Sequence, residues 1–117
     1  MSQLTTHVLD TAKGKPAEGI TIVLFVQEPG DPVSVGWRQL VIGTTDEDGR
    51  IPDFLQEDAV LEPGVYRLRF ETKEYFEKLG IQTFYPFIEI TFIIMGPEHY
   101  HVPLLLNPFG YSTYRGS

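Results

Sequence analysis

The stretch His101-Val102-Pro103-Leu104-Leu105-Leu106, then Asn107-Pro108-Phe109-Gly110, then Tyr111-Ser112-Thr113-Tyr114-Arg115 decides the fold class. With the side-chain period of two that a strand imposes, Val102, Leu104 and Leu106 share one apolar face, and His101, Pro103 and Leu105 share the other. The Asn-Pro-Phe-Gly segment is a turn signal, so two strands are predicted, His101–Leu106 and Tyr111–Arg115.

Working back along the chain, short segments rich in β-branched and aromatic residues recur between turn signals. The spacing predicts strands at Thr5–Asp10, Ile20–Gln27, Val35–Thr45, Arg50–Leu55, Val65–Phe70 and Pro86–Met95. Lys13–Gly19, Glu28–Pro32, the acidic Gln56–Glu62 loop with Pro63-Gly64, and Gly96-Pro97 separate them. Asp46-Glu47-Asp48-Gly49 is a hairpin signal, because Asp-Gly tolerates the positive φ of tight hairpins. Pro52 puts the short Arg50–Leu55 strand at an edge, since proline has no N–H for a ladder. One helix is predicted at Thr72–Gly80, capped by Thr72, with Tyr75, Phe76 and Leu79 as its apolar face and Gly80 as its stop. About eight short strands and one helix predict an all-β sandwich or barrel.

The chain has 117 residues, which suits one domain over 1–117. Nine Lys+Arg against 16 Asp+Glu give a net charge of −7. That balance argues against nucleic acid and against an anionic membrane surface as partners. Without cysteine there is no disulfide framework and no thiolate nucleophile. The longest apolar stretches, Ile20–Val26 and Phe84–Met95, are shorter than the ~20 residues of a membrane-spanning helix. Residues 1–7 lack a signal-peptide pattern, and Arg115-Gly116-Ser117 is not a peroxisomal tripeptide. A cytoplasmic location is the expectation.

Few residues carry chemistry. No Gly-x-Ser-x-Gly elbow or phosphate-cradling loop is present. His99 and His101, two apart, would share one face of a strand and could start a zinc site. No third ligand stands out, and His99 is expected to be a solvated loop residue. His101 and His7 sit on strand faces that also carry leucine. Such a mixed face is either a wetted surface or the wall of a site between subunits. Arg50 is either a charge-balancing surface residue or a clamp for a developing negative charge. The polar end, Tyr111–Ser117, is either a frayed tail or part of a site.

A resemblance narrows these alternatives. Leu4–Ala17 (LTTHVLDTAKGKPA) resembles the N-terminal signature of the transthyretin-like family, and His99–Ser117 (HYHVPLLLNPFGYSTYRGS) resembles its C-terminal one. Gly49-Arg50-Ile51 matches as well, so the likeness covers essentially the whole chain. Asn107 stands at a turn position where the family often has serine. The closing Tyr-Arg-Gly-Ser marks the family's enzyme branch, the 5-hydroxyisourate hydrolases. The carrier branch lacks the histidine pair and this ending.

The resemblance implies a sandwich of two four-stranded sheets with one short helix. It implies a homotetramer with sites at subunit interfaces in a central channel. The implied activity is hydrolysis of the small molecule 5-hydroxyisourate, in urate degradation, with no metal and no organic cofactor. The implied catalytic residues are His7, Arg50 and His101; His7, Arg50, Tyr114 and Ser117 would bind substrate. A neutral imidazole suits a general base, and either histidine could serve. Strand parity puts Ser112, Tyr114 and Gly116 on the channel side, with Gly116 leaving room for a substrate ring. Arg115 points the other way, which suits a structural role. A carrier with an apolar channel and a purely structural immunoglobulin-like sandwich are the rival classes.

Overall fold

Alternating burial builds the strands. Along β1 (Leu4–Asp10), Leu4, Thr6, Val8 and Asp10 turn into the core, while Thr5, His7 and Leu9 stay half-buried on the other face. The computed structural model describes residues 2–28 and 36–117. The remaining elements are β2 (Lys15–Pro16), β3 (Thr21–Glu28), β4 (Gly36–Thr44), β5 (Gly64–Phe70), α1 (Thr72–Lys78), β6 (Ile88–Ile94), β7 (Tyr100–Asn107) and β8 (Gly110–Thr113). They form two four-stranded sheets, ordered β2-β1-β7-β8 and β4-β3-β5-β6. The expected sandwich of two four-stranded sheets with one short helix is therefore what the chain adopts. No helix among the described residues is long and apolar enough to cross a membrane.

Val8, Val102, Leu104 and Leu106 of the first sheet meet Ile22, Leu24, Leu68, Phe70 and Ile88 of the second. Each such side chain stabilises the fold by roughly 1.5–3 kcal/mol on burial. Helix α1 adds Tyr75 and Phe76 to this core. The Tyr75 hydroxyl donates to Asp10 Oδ2 at 2.8 Å, and the amides of Ala12 and Lys13 donate to Asp10 Oδ1. Burial, then the hydrogen bond and charge of Asp10, raise the Tyr75 phenol above the usual tyrosine range.

Three local expectations are corrected. Lys15–Pro16, expected within a turn cluster, pairs antiparallel with Leu9 and Asp10 of β1. Arg50–Leu55 forms no strand: Phe54 N–H closes a turn on Ile51 O, and Asp53 adopts φ 58°. Its apolar residues still reach the core, because Phe54 and Leu55 are buried from a coil. Thr72 does not cap α1. Glu71 occupies the N-cap without a side-chain hydrogen bond, and Thr72 Oγ1 is buried without a partner among the described residues. The helix ends at Lys78, but Gly80 does supply the stop. At φ 70° its N–H reaches Glu77 O and the Ile81 N–H reaches Phe76 O, a Schellman closure. Residues 29–32 of the expected break and Val35 of the expected strand lie outside the described residues.

Candidate active site

The parallel pairing of β1 with β7 assembles the site. Its register sets Thr5 opposite His101 and His7 opposite Pro103. His7 and His101 thus share the face of the β2-β1-β7-β8 sheet that points away from the core, together with Thr5, Leu9 and Leu105. Arg50 arrives from the turn after β4. Asp46 Oδ1 accepts from the amides of Asp48 and Arg50, and the Gly49 amide donates to Asp46 O. The turn is pressed onto β1, where the Val8 amide donates to Gly49 O at 2.9 Å. Gly49 sits at φ 74°, and a Cβ there would lie 2.4 Å from Val8 O. Only glycine allows so close an approach beside His7. The hairpin expected at Asp-Gly therefore turns, but its return is spent on β1 rather than on a strand of its own.

The charges of these three residues act on one another. The His7 pKa is lowered, first by burial and then by the Arg50 guanidinium, against the opposing pull of Asp48 and Asp46. The His101 pKa is lowered by burial, then by Arg50, His7 and His99, with a hydrogen bond to the Thr5 backbone pulling the other way. Both imidazoles are thereby biased toward the neutral, proton-accepting form. A pocket of ≈ 310 Å³ lies beside Arg50, bordered by Thr5, Thr6, Asp46, Asp48 and Asp53.

His99 lies in the loop before β7, as expected, but it is not simply solvated. It is half-buried, its Nδ1 lies 2.8 Å from Ser2 O, and its Nε2 lies 3.1 Å from Thr5 Oγ1. Its ring stacks with that of His101 at 6.4 Å between centroids. Among the described residues there is no group of three or more His, Cys, Asp or Glu placed to hold a metal ion.

The tail continues the β7–β8 register beyond the strand. Thr113 faces Leu104, and Gly116 forms a bridge with His101, its amide donating to His101 O at 2.8 Å. By this count Tyr114 falls opposite Pro103, on the side of His101. Tyr114 is 59% exposed, and no hydrogen bond or ring contact joins it to His7, Arg50 or His101. Ser117 is exposed. The room at Gly116 is taken by the protein itself: a Cβ there would lie 2.6 Å from His101 Cδ2. Arg115 points elsewhere, its guanidinium 4.3 Å from the Tyr100 ring centroid and its Nη2 donating to His99 O at 3.4 Å. That contact suits the structural role expected of it.

Residues 4–116 match the model of the HIUase/Transthyretin family. The chain belongs to that family. The 5-hydroxyisourate hydrolase of Salmonella typhimurium is 49% identical over 115 residues, covering 97% of this chain and 80% of that protein. The structure of Klebsiella pneumoniae 5-hydroxyisourate hydrolase superposes with a TM-score of 0.79 at 38% identity, over 100% of this chain and 94% of that one. Sea bream transthyretin in complex with thyroxine superposes with a TM-score of 0.85 at 35% identity, over 97% and 94%.

The HIUase/Transthyretin fold is thus shared by a hydrolase and by a thyroxine-bound protein, so the fold by itself does not separate the two. Here the outer face of the β2-β1-β7-β8 sheet carries two imidazoles, with the Arg50 guanidinium acting on both from the neighbouring turn. The sequence reading of this HIUase/Transthyretin chain singled out those three but passed over Thr5. The available signal was its polar side chain two residues before His7, on the same strand face.

Proposed function

We propose that the chain hydrolyses 5-hydroxyisourate to 2-oxo-4-hydroxy-4-carboxy-5-ureidoimidazoline, the step that opens a ring amide during urate degradation. What supports this reading is that His7 and His101 share one outer sheet face, with Arg50 near enough to lower the pKa of both rings. A neutral imidazole takes a proton from water as the oxygen attacks the ring carbonyl carbon. The carbonyl oxygen then carries the negative charge, which a planar guanidinium can hold through paired donors. Collapse breaks the C–N bond, and the imidazolium returns its proton to the departing nitrogen. One water is consumed in all, with no net proton change at the protein.

A carrier needs no such bases, so the ionisable face favours turnover over carriage. The same face carries half-buried Leu9 and Leu105 beside the polar groups. We infer a homotetramer whose subunits cover it, with Tyr114 and Ser117 contacting substrate where subunits meet. The test follows the ultraviolet absorbance of freshly generated 5-hydroxyisourate with wild-type protein, His7→Ala and His101→Ala, with light scattering in parallel. Tetrameric wild-type protein should turn over, and each folded variant should lose ~10²–10⁴-fold in rate. Wild-type protein that leaves the spontaneous decay unchanged would refute the activity. An active monomer would refute the assembly.

A further inference from the structure

A file of hydrogen-bonding groups runs across the ends of β1 and β7: Ser2 O, the His99 ring, Thr5 Oγ1 and the His101 ring. The three separations are 2.8 Å from His99 Nδ1 to Ser2 O, 3.1 Å from His99 Nε2 to Thr5 Oγ1, and 2.8 Å from Thr5 Oγ1 to His101 Nδ1. From this file we propose that Thr5 and His99 are positioning residues that fix His101 as its Nδ1–H tautomer, leaving Nε2 bare as the proton acceptor. The proposal rests on the hydrolase function above for its catalytic meaning.

The direction follows from donor and acceptor counting. Ser2 O is a carbonyl and can only accept, so His99 Nδ1 carries the hydrogen. A neutral imidazole has one N–H, so His99 Nε2 is then an acceptor and takes the Thr5 hydroxyl hydrogen. That hydroxyl has one hydrogen, already committed, and therefore faces His101 Nδ1 with a lone pair. His101 Nδ1 must supply the hydrogen of that 2.8 Å contact. The single proton of neutral His101 is thus on Nδ1, and no proton remains for Nε2. A second proton on His99 would turn the hydroxyl round and reverse the chain, so the arrangement belongs to neutral His99.

The backbone holds these atoms in line. Thr5 is the register partner of His101 in the parallel ladder, and His99, in the loop just before β7, stacks its ring on that of His101. His101 is held from its other side by the tail, where Gly116 N–H donates to His101 O. Fixing a base's tautomer through the nitrogen it does not use is the task a carboxylate performs in hydrolytic triads. Here a hydroxyl and a second imidazole would do it without a negative charge, so His101 would keep its lowered pKa.

The test separates tautomer from turnover. Long-range proton–nitrogen NMR of protein carrying ¹⁵N-histidine, at a pH where the rings are neutral, reads which His101 nitrogen is protonated. The variants are Thr5→Val, which keeps the shape and removes the hydroxyl, and Thr5→Ser, which restores it. Wild type and Thr5→Ser should show His101 protonated on Nδ1, and Thr5→Val should shift it toward Nε2. In the hydrolysis assay Thr5→Val should lose about tenfold in kcat with KM little changed, a share of what a positioned base supplies. Thr5→Ser should recover most of that loss. Wild-type His101 protonated on Nε2, or a Thr5→Val protein with unchanged tautomer and kcat, would overturn the proposal. If wild type has the Nδ1–H form but does not hydrolyse 5-hydroxyisourate, the tautomer assignment stands and the functional proposal falls.

Discussion

Replacing Gly116 by alanine adds one methyl group against the ring of His101. The new Cβ would lie 2.6 Å from Cδ2, 3.3 Å from Cγ and 3.4 Å from the Cβ of His101. Ordinary contact begins near 3.4 Å, so ring and tail must separate by about 0.8 Å, and displacements of ~1 Å at a reacting group can cost ~10²-fold. If the ring yields by rotating some 30° from its rotamer, the cost is of order 0.5–1.5 kcal/mol. The rotation would also lengthen the 2.8 Å contact of Nδ1 with Thr5 Oγ1. No positive φ opposes alanine here, so the backbone adds no strain and the fold should survive. The expected outcome is a fall of about 10–100-fold in kcat/KM, with a thermal midpoint within about 5 °C of wild type. Hydrolysis of 5-hydroxyisourate and a melting curve on the same sample provide the check. Wild-type turnover with an unchanged midpoint would show that the ring has slack. Wild-type turnover with a lowered midpoint would show that the tail yields instead. Either result refutes the idea that Gly116 exists to seat the ring.

Arg50→Lys should approach the loss in Arg50→Ala, about 10²–10³-fold in kcat, because an ammonium keeps the charge and loses the fork; steady-state rates of both variants decide it. The acid limb of kcat/KM should fall below the ordinary histidine value of ~6.5, since both His7 and His101 are shifted down and stay neutral at lower pH. Stability should move in the same sense. Between the lowered folded values and ~6.5 the unfolded chain binds more protons, so the thermal midpoint should rise with pH through that window and level off above it. Tyr75→Phe should cost roughly 1.5–3 kcal/mol in urea unfolding, because the Asp10 carboxylate loses a buried donor, while turnover stays near wild type.

What was legible in the sequence was whatever depends on neighbours along the chain. Alternation in Val102, Leu104 and Leu106 gave the correct buried face, and Gly80 gave the helix stop, because both are local rules of backbone geometry. Lys15–Pro16 was not legible as a strand, since a two-residue ladder beside a turn has no periodicity to detect. Arg50–Leu55 misled for the opposite reason. Its apolar residues look strand-like, but they reach the core through turns after the Gly49 carbonyl is taken by Val8. Thr72 looked like a cap by residue type, yet the backbone enters the helix one residue earlier. At the site, His7, Arg50 and His101 came from the family likeness and from strand faces. The connection of Thr5 to His99 and His101 depends on the parallel register of β1 with β7, which no local pattern encodes. His99 is a loop residue as its position suggests, but its hydrogen bonds were not legible because its two partners, Ser2 and Thr5, lie more than ninety positions away.

That long separation has a kinetic consequence. The Thr5–His101 contact spans 96 residues of sequence, so synthesis must pass His101 before the two sides can meet. Closing so long a loop is entropically costly, and topologies dominated by such distant pairings fold slowly. During that interval the first strand lacks its neighbour and exposes an unpaired edge, the kind of surface on which aggregation starts. In refolding from denaturant, recovered turnover should therefore lag behind signals from the locally connected β3, β4 and β5.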